Sequence, residues 1–165
     1  MITIKAGQST SFPRIADAIE AAKAYAPMPV TIHIAPGRYH EKLTVSQPHV
    51  TLIGDDASNT ILTYDDYARE IMPDGIKRGT FRTYTLFLDA PDITLCNLTV
   101  ENAAGAGKKV GQAIALYAEG EGIRVENCRL IGSQDTLFTG PLPEKEKEPG
   151  GFRGPKEFAP RINGR

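Results

Sequence analysis

The sequence has no tryptophan, only two cysteines, and a formal net charge of −1 over 165 residues. So small a net charge provides no strong field that would attract nucleic acid or an anionic membrane. No stretch approaches the roughly 18 apolar residues that a membrane-spanning helix needs. Neither a nucleic-acid nor a membrane partner is expected, and 41% hydrophobic with 24% charged residues fits a soluble globular chain.

Other motifs that the sequence lacks argue against several kinds of metal and catalytic site. Cys96 and Cys128 lie in apolar, strand-like runs without the paired Cys or His spacing of a zinc site. We expect two buried free thiols in adjacent coils, with a disulfide as the alternative. There is no Gly-x-Ser-x-Gly nucleophile motif, and residues 105–109 lack the spacing of a phosphate-binding loop. No signal peptide is visible, so the product is expected to be cytoplasmic, or secreted if its N-terminus was trimmed.

The chain is rich in turn residues, with 16 Gly and 12 Pro. Between residues 30 and 138 they separate brief segments with β pattern. Residues 93–97 resemble residues 123–127 at an offset of 30, and Ile32–Ile34 and 50–53 repeat the pattern less well. Strands this short cannot bury an apolar face alone, whereas stacked parallel coils share a continuous core. The pattern therefore predicts a single solenoid domain over residues 1–165, with coils at about 30–140.

One amphipathic helix is expected before the coils, at about residues 11–26. Ser11 is the predicted N-cap and Pro13 lies in the first turn, while Pro27 and Pro29 end the helix. The apolar residues at helical spacing are Phe12, Ile15, Ala18, Ile19 and Ala22. Such a helix would plug the open end of the solenoid.

Two segments do not fit the pattern of short strands separated by turns. Residues 67–82 are predicted to form an excursion between coils. Residues 141–162 form a longer loop with alternating charges, which indicates a solvated surface or, alternatively, a wall beside a substrate groove.

Two polar positions suggest a site. Gln112 precedes an apolar run, and Gln134 with Asp135 precedes another, 22 residues later. That distance is about one solenoid coil, and residues one coil apart stack at roughly 4.8 Å. We therefore expect the two carboxamides and the carboxyl to share an accessible patch that can hold a carbonyl oxygen and exchange a proton.

Three segments resemble the pectinesterase (pectin methylesterase) family, in the family's order: Gly-Arg-Tyr-His-Glu at 37–41, Gln-Ala-Ile-Ala-Leu at 112–116 and Gly-Ser-Gln-Asp-Thr-Leu-Phe at 132–138. The resemblance implies a right-handed parallel β-helix, an all-β fold. It also implies an esterase that needs no metal or organic cofactor and removes methyl groups from pectin or methylated oligogalacturonides. Gly37, Tyr39 and Glu41 are taken as structural, with Glu41 a polar tie between coils.

The resemblance also assigns roles. Gln112 and Gln134 would stabilise the oxyanion, and Asp135 would shuttle the proton. Phe138 and Tyr117 are candidates to stack on sugar rings, with core packing as the alternative. The family's second catalytic Asp and its Arg have no match in the 165 residues, so the chain resembles a truncated, N-terminal half and is expected to be inactive alone. The alternatives are a thioesterase on the same fold and a solenoid that only binds polysaccharide.

Overall fold

The computed structural model describes residues 2–142, which form a stack of short parallel strands preceded by one helix. Its elements in chain order are β1 (Ile2–Ala6), α1 (Ile15–Ala22), β2 (Val30–Ile34), β3 (Gly37–His40), β4 (Leu43–Val45), β5 (Val50–Gly54), β6 (Thr60–Tyr64), β7 (Leu86–Leu88), β8 (Thr94–Cys96), β9 (Thr99–Asn102), α2 (Gly107–Val110), β10 (Leu116–Ala118), β11 (Arg124–Glu126), β12 (Arg129–Ile131) and β13 (Leu137–Thr139).

The strands form three parallel sheets that run the length of the stack. The first sheet has the order β1-β2-β5-β8-β11, the second β3-β6-β9-β12 and the third β4-β7-β10-β13. Every strand pair is parallel, so successive coils contribute one strand to each sheet. This arrangement confirms the parallel β-helix expected from the sequence.

The core lies between the three sheets. In the first sheet Ile32 pairs with Leu52 and Leu52 with Leu95, and all three side chains are buried. Leu95 in turn pairs with Val125, which is the register that the repeat between 93–97 and 123–127 predicted. The same inward column therefore continues through coils of different length.

Helix α1 closes the first coil, as predicted, but it is shorter than the expected 11–26. It packs on β1, β2 and β4 and continues into a 3₁₀ turn at Lys23–Tyr25. Phe12 lies before the helix and forms a parallel bridge with Ala6. The residues that α1 contributes to the core are Ile15, Ala18, Ile19 and Ala22.

The helix cap comes from a distant residue rather than from Ser11. Arg14 occupies the N-cap position without a side-chain cap. The two carboxylate oxygens of Glu41 instead accept hydrogen bonds from the N–H groups of Ile15 and Ala16, both at 2.9 Å. Glu41 is therefore structural, as expected, but it ties a coil to the helix rather than coil to coil. A carboxylate at this end also complements the helix dipole.

The rest of the 37–41 motif packs tightly on itself. The Tyr39 hydroxyl donates to the carbonyl of Ala35 at 2.7 Å, and the Tyr39 side chain is buried. A Cβ placed on Gly37 would lie 2.9 Å from the Tyr39 ring, so only glycine leaves room for it. Together these contacts explain why this motif has a structural role.

Several expectations change. Strand β1 lies before the range of 30–138 in which β segments were expected, and the apolar run after Gln112 becomes regular strand only at Leu116. Cys96 and Cys128 are free thiols but only half-buried, because Cys96 points outward from β8 and Cys128 lies at a corner of the last described coil.

The excursion at 67–82 lies between β6 and β7, as predicted. Of the loop at 141–162, only Pro141 and Leu142 fall within the described residues.

Candidate active site

An aromatic row covers the outer face of the third sheet. Phe87, Tyr117 and Phe138 are in register on β7, β10 and β13. The ring centroids are 4.5 Å apart for Phe87–Tyr117 and 4.9 Å apart for Tyr117–Phe138. Phe81 from the excursion lies 5.0 Å from Phe138, and Tyr84 lies 5.3 Å from Phe87. The face is therefore an apolar surface partly walled by the excursion.

Tyr117 does not match the role of a sugar-stacking ring. Its exposed fraction is 0%, because it is enclosed by the neighbouring aromatic rings. Burial, followed by the charge of Glu119, raises the pKa of the Tyr117 hydroxyl. The competing interpretation, core packing, fits Tyr117 in this structure. Phe138 is half-buried and retains some accessible surface, so its contact with substrate stays a prediction.

Gln112 and Gln134 lie in neighbouring coils, just before β10 and β13. The amide of Ala113 donates to the carbonyl of Gln134 at 3.0 Å. Gln112 is half-buried, whereas Gln134 and Asp135 are exposed. The structure thus places the three residues at the N-terminal ends of two adjacent strands, and a shared patch of their side chains stays a prediction.

A one-residue irregularity separates Gln112 from strand β10. The amides of Ala115 and Leu116 both donate to the carbonyl of Thr136, at 2.9 and 3.1 Å. On the other side, the amide of Thr85 lies 3.1 Å from the carbonyl of Ile114 and 3.2 Å from that of Ala115. Two residues of this strand therefore oppose one residue on each neighbour, as in a β-bulge.

The bulge changes which face the preceding residues occupy. Consecutive residues Ala115 and Leu116 both belong to the inner core, whereas Ile114 packs on the outer face with Phe87 and Tyr117. Because side chains alternate along a strand, one extra residue moves everything before it to the opposite face. By the same alternation we infer that Gln112, two residues before Ile114, lies on the side of the aromatic row.

The segment of Ser133, Gln134 and Asp135 is fixed by the first residue of α2 and by its own backbone. The Ser133 hydroxyl accepts a hydrogen bond from the N–H of Gly107 at 3.0 Å. A Cβ on Gly107 would lie 2.6 Å from Gln134 Oε1, so the glycine permits the close approach of this carboxamide. Asp135 has a positive φ of 56°, a conformation that Asp adopts more readily than most residues.

The excursion supports the other half of the patch. The N–H of Ala68 donates to the carbonyl of Gln112 at 2.9 Å. The Arg69 guanidinium donates to the carbonyls of Lys108 and Lys109, at 2.7 and 3.2 Å. These contacts join the excursion to Gln112 and to α2, the helix just before it.

A charged cluster fixes the base of the excursion. Asp66 pairs with Lys42 and, at 3.0 Å, with Arg78, which also pairs with Glu70 at 2.7 Å. Burial lowers the pKa of Lys42, and the neighbouring Asp66 opposes that effect. The Lys42 ammonium also lies 4.6 Å from the centre of the Tyr84 ring. This cluster links the excursion to β4 and β6 at the edge of the aromatic row.

The arrangement provides two carboxamides and one carboxyl near a largely buried aromatic cluster. Carboxamide N–H groups can stabilise a developing oxyanion, and a carboxyl can transfer a proton. Within residues 2–142 no group of three or more His, Cys, Asp or Glu side chains is arranged to hold a metal ion. Nor does any helix in that range have the length and apolar character needed to cross a membrane.

Comparison with known proteins identifies close similarities. A family model described as Pectinesterase matches residues 1–142. The chain is 37% identical over 130 residues to "Probable pectinesterase/pectinesterase inhibitor 23" of Arabidopsis thaliana, covering 77% of the chain and 22% of that protein. It is 30% identical over 152 residues to "Pectinesterase A" of Dickeya chrysanthemi, covering 84% of the chain and 41% of that protein.

Solved structures give the same result. The pectin methylesterase PemA from Erwinia chrysanthemi matches with a TM-score of 0.76 and 29% identity, over 84% of this chain and 46% of that one. A pectin methylesterase in complex with a hexasaccharide has the same TM-score, identity and coverage. The chain therefore spans less than half the length of these relatives.

Proposed function

The chain belongs to the pectinesterase family, and from that premise we propose that it acts in the hydrolysis of methyl esters of polygalacturonate. The observation that carries the proposal is the juxtaposition of Gln112 with Gln134 and Asp135, joined by the bond between Ala113 N–H and the Gln134 carbonyl. The substrate is pectin or a methylated oligogalacturonide. The complex of one similar pectin methylesterase with a hexasaccharide supports a ligand of this kind.

In the proposed reaction a carboxylate attacks the methyl-ester carbonyl and forms an acyl-enzyme. The side-chain N–H groups of Gln112 and Gln134 stabilise the negative charge on the tetrahedral oxygen. Asp135 donates a proton to the departing methanol and later takes one from the hydrolytic water. The attacking carboxylate is assigned by family resemblance to a second Asp, which has no match in these 165 residues.

Because the proposed binding residues are present and the attacking Asp has no match, we predict that the 165-residue chain binds substrate without turning it over. We expect it to bind methylated oligogalacturonides in preference to the same oligomers after demethylation. Because a matched nucleophile is missing, we expect no methanol above the buffer control. Calorimetric titration with both oligomers and a methanol assay on highly methylated pectin measure the two quantities.

Each outcome decides something definite. Absence of binding to the methylated oligomers would overturn the assignment of substrate. Methanol release that disappears in Asp135→Asn would show that the residues present suffice for catalysis, and the half-site account would be wrong. Turnover of an acyl thioester without pectin binding would favour the thioesterase alternative.

A further inference from the structure

The position of Gln112 depends on a segment outside the regular strand, which is held by irregular backbone bonds and by side chains. Strand β10 starts only at Leu116, and the preceding residues pass through the bulge at Ile114 and Ala115. Bulges tend to occur where a side chain has to be re-aimed. Whatever fixes the bulge therefore also fixes the face on which Gln112 lies.

Two buried polar residues fix it. Thr83, which has no exposed surface, accepts a hydrogen bond from the N–H of Ile114 at 2.9 Å and donates to the Thr80 carbonyl at 2.7 Å. Asn102, 5% exposed, places Nδ2 3.2 Å from the Ile114 carbonyl, the longest of the three carbonyl contacts that share its two N–H hydrogens. Both main-chain groups of the bulged residue thus contact polar side chains, Thr83 from the preceding coil and Asn102 from the same coil.

The same carboxamide also joins the two ends of the excursion. Asn102 Nδ2 lies 2.9 Å from the carbonyl of Asp66 and 2.9 Å from that of Thr83, the residues that flank it. Its Oδ1 accepts from the N–H of Ala104 at 3.0 Å, which anchors the side chain. One buried group therefore connects the excursion, the bulge and strand β9.

We propose that Thr83 and Asn102 are positioning residues that hold the bulge at Ile114 and thereby present the Gln112 carboxamide on the outer face of the third sheet. Neither residue is assigned contact with substrate. The proposal rests on the proposed function only in the role given to Gln112. Its structural half, that these two side chains hold the segment, can be tested without any activity.

Thr83→Val is the direct test, because valine keeps the shape and removes the hydroxyl. The N–H of Ile114 then loses its acceptor, and we expect its hydrogen exchange to accelerate on the order of 10-fold or more. Thr83→Ser retains the hydroxyl and should keep the wild-type rate. Amide-resolved exchange by NMR measures both variants.

A matched control is available in the same chain. Thr99 is also buried, and its hydroxyl donates to the carbonyl of Ala57 at 2.5 Å, in the turn between β5 and β6. Thr99→Val removes a buried hydroxyl without touching the segment of Gln112. We expect it to lower thermal stability about as much as Thr83→Val while leaving the exchange rate of Ile114 unchanged.

The functional half is measured by ligand preference. The ratio of affinities for methylated over demethylated oligogalacturonide should fall on the order of 10-fold in Thr83→Val and Asn102→Ala, and stay at the wild-type value in Thr83→Ser and Thr99→Val. A general loss of stability would lower this ratio equally in Thr99→Val. If Thr83→Val does not fold, Asn102→Ala carries the comparison.

The outcomes separate the two claims. Unchanged exchange at Ile114 in Thr83→Val would overturn the positioning role, whatever the substrate proves to be. Accelerated exchange with an unchanged ligand ratio would show that the bulge does not govern Gln112, and would also overturn it. If the wild-type chain shows no preference for the methylated oligomer, the proposed function fails, while the exchange experiment still decides whether these residues hold the segment.

Discussion

The two ends of the described stack differ in how well equivalent positions are buried. In the third sheet Leu86 and Leu116 have no exposed surface, whereas Leu137, the next residue in the same column, is 51% exposed. In the first sheet Ile32 has no exposed surface and Val125 is 43% exposed. At the other end, α1 covers the first coil and leaves Ile4 only 7% exposed. A coil is thus buried by what lies on both sides of it, and register alone does not bury it.

The largest effect is expected when a leucine is shortened to alanine at two positions of the same column, one in the core and one in the last described coil. Leu86→Ala should cost about 2–5 kcal/mol of unfolding free energy, since it leaves a cavity in a closed core. Leu137→Ala should cost less than about 1 kcal/mol, because half of that side chain already contacts water. Urea unfolding followed by circular dichroism measures both. Equal losses would contradict the difference between the ends.

The covered end is expected to depend on Glu41. Glu41→Gln keeps the size but removes the charge that accepts from two N–H groups of α1, and it should cost about 1–2 kcal/mol. Ser11→Ala, at the cap predicted from sequence, should change stability by less than about 0.5 kcal/mol. A larger loss for Ser11→Ala than for Glu41→Gln in thermal unfolding would reverse the assignment of the cap.

In the last described coil, two substitutions of Asp135 separate the effect of its backbone conformation from that of its carboxyl group. Asn tolerates a positive φ about as well as Asp, so Asp135→Asn should leave stability within about 0.5 kcal/mol. Asp135→Ala should cost about 1 kcal/mol more, because alanine disfavours the left-handed region. The difference between the two unfolding midpoints is the measurement. Identical midpoints would mean that φ at this position is not constrained in solution.

The smallest expected effect concerns Cys128, which is only partly withdrawn from water. Burial raises the pKa of its thiol, so less thiolate is present at a given pH. In a Cys96→Ser variant, alkylation of Cys128 by iodoacetamide should therefore reach its half-maximal rate at a higher pH than a cysteine in an unstructured peptide. A profile that coincides with the peptide's would indicate that the coil around Cys128 is fully hydrated.

Much of the fold could be predicted from the sequence because short-range patterns specify it. The offset of 30 between residues 93–97 and 123–127 reappears as strand register, and the separation of Gln112 from Gln134 is close to the step between β10 and β13. The alternation of apolar residues along the sequence indicates both of these distances. The excursion at 67–82 could be recognised for the complementary reason, since its charges and Pro-Asp-Gly turn interrupt that alternation.

The features that could not be predicted depend on contacts distant in sequence. Nothing near Ser11 reveals that Glu41 caps the helix from a different coil. The bulge at Ile114 could not be predicted because the run at 113–117 has the composition of an uninterrupted strand. All five residues of this run are apolar or aromatic, so the sequence does not show which of them face the core and which face outward. Asn102, a polar residue at an inward position after Leu98 and Val100, is the signal that could have identified it.

The steps between paired residues in the first sheet have a consequence for how such a chain can change. From Ile32 to Leu52, Leu95 and Val125 the coils take 20, 43 and 30 residues, yet the column of paired side chains does not shift. Insertions and deletions are absorbed entirely at the corners, where segments such as 67–82 leave the stack. The walls beside Gln112 and Asp135 can therefore be lengthened, shortened or exchanged while the strands that carry these residues keep their alignment, so the surroundings of the proposed site can evolve separately from the residues that form it.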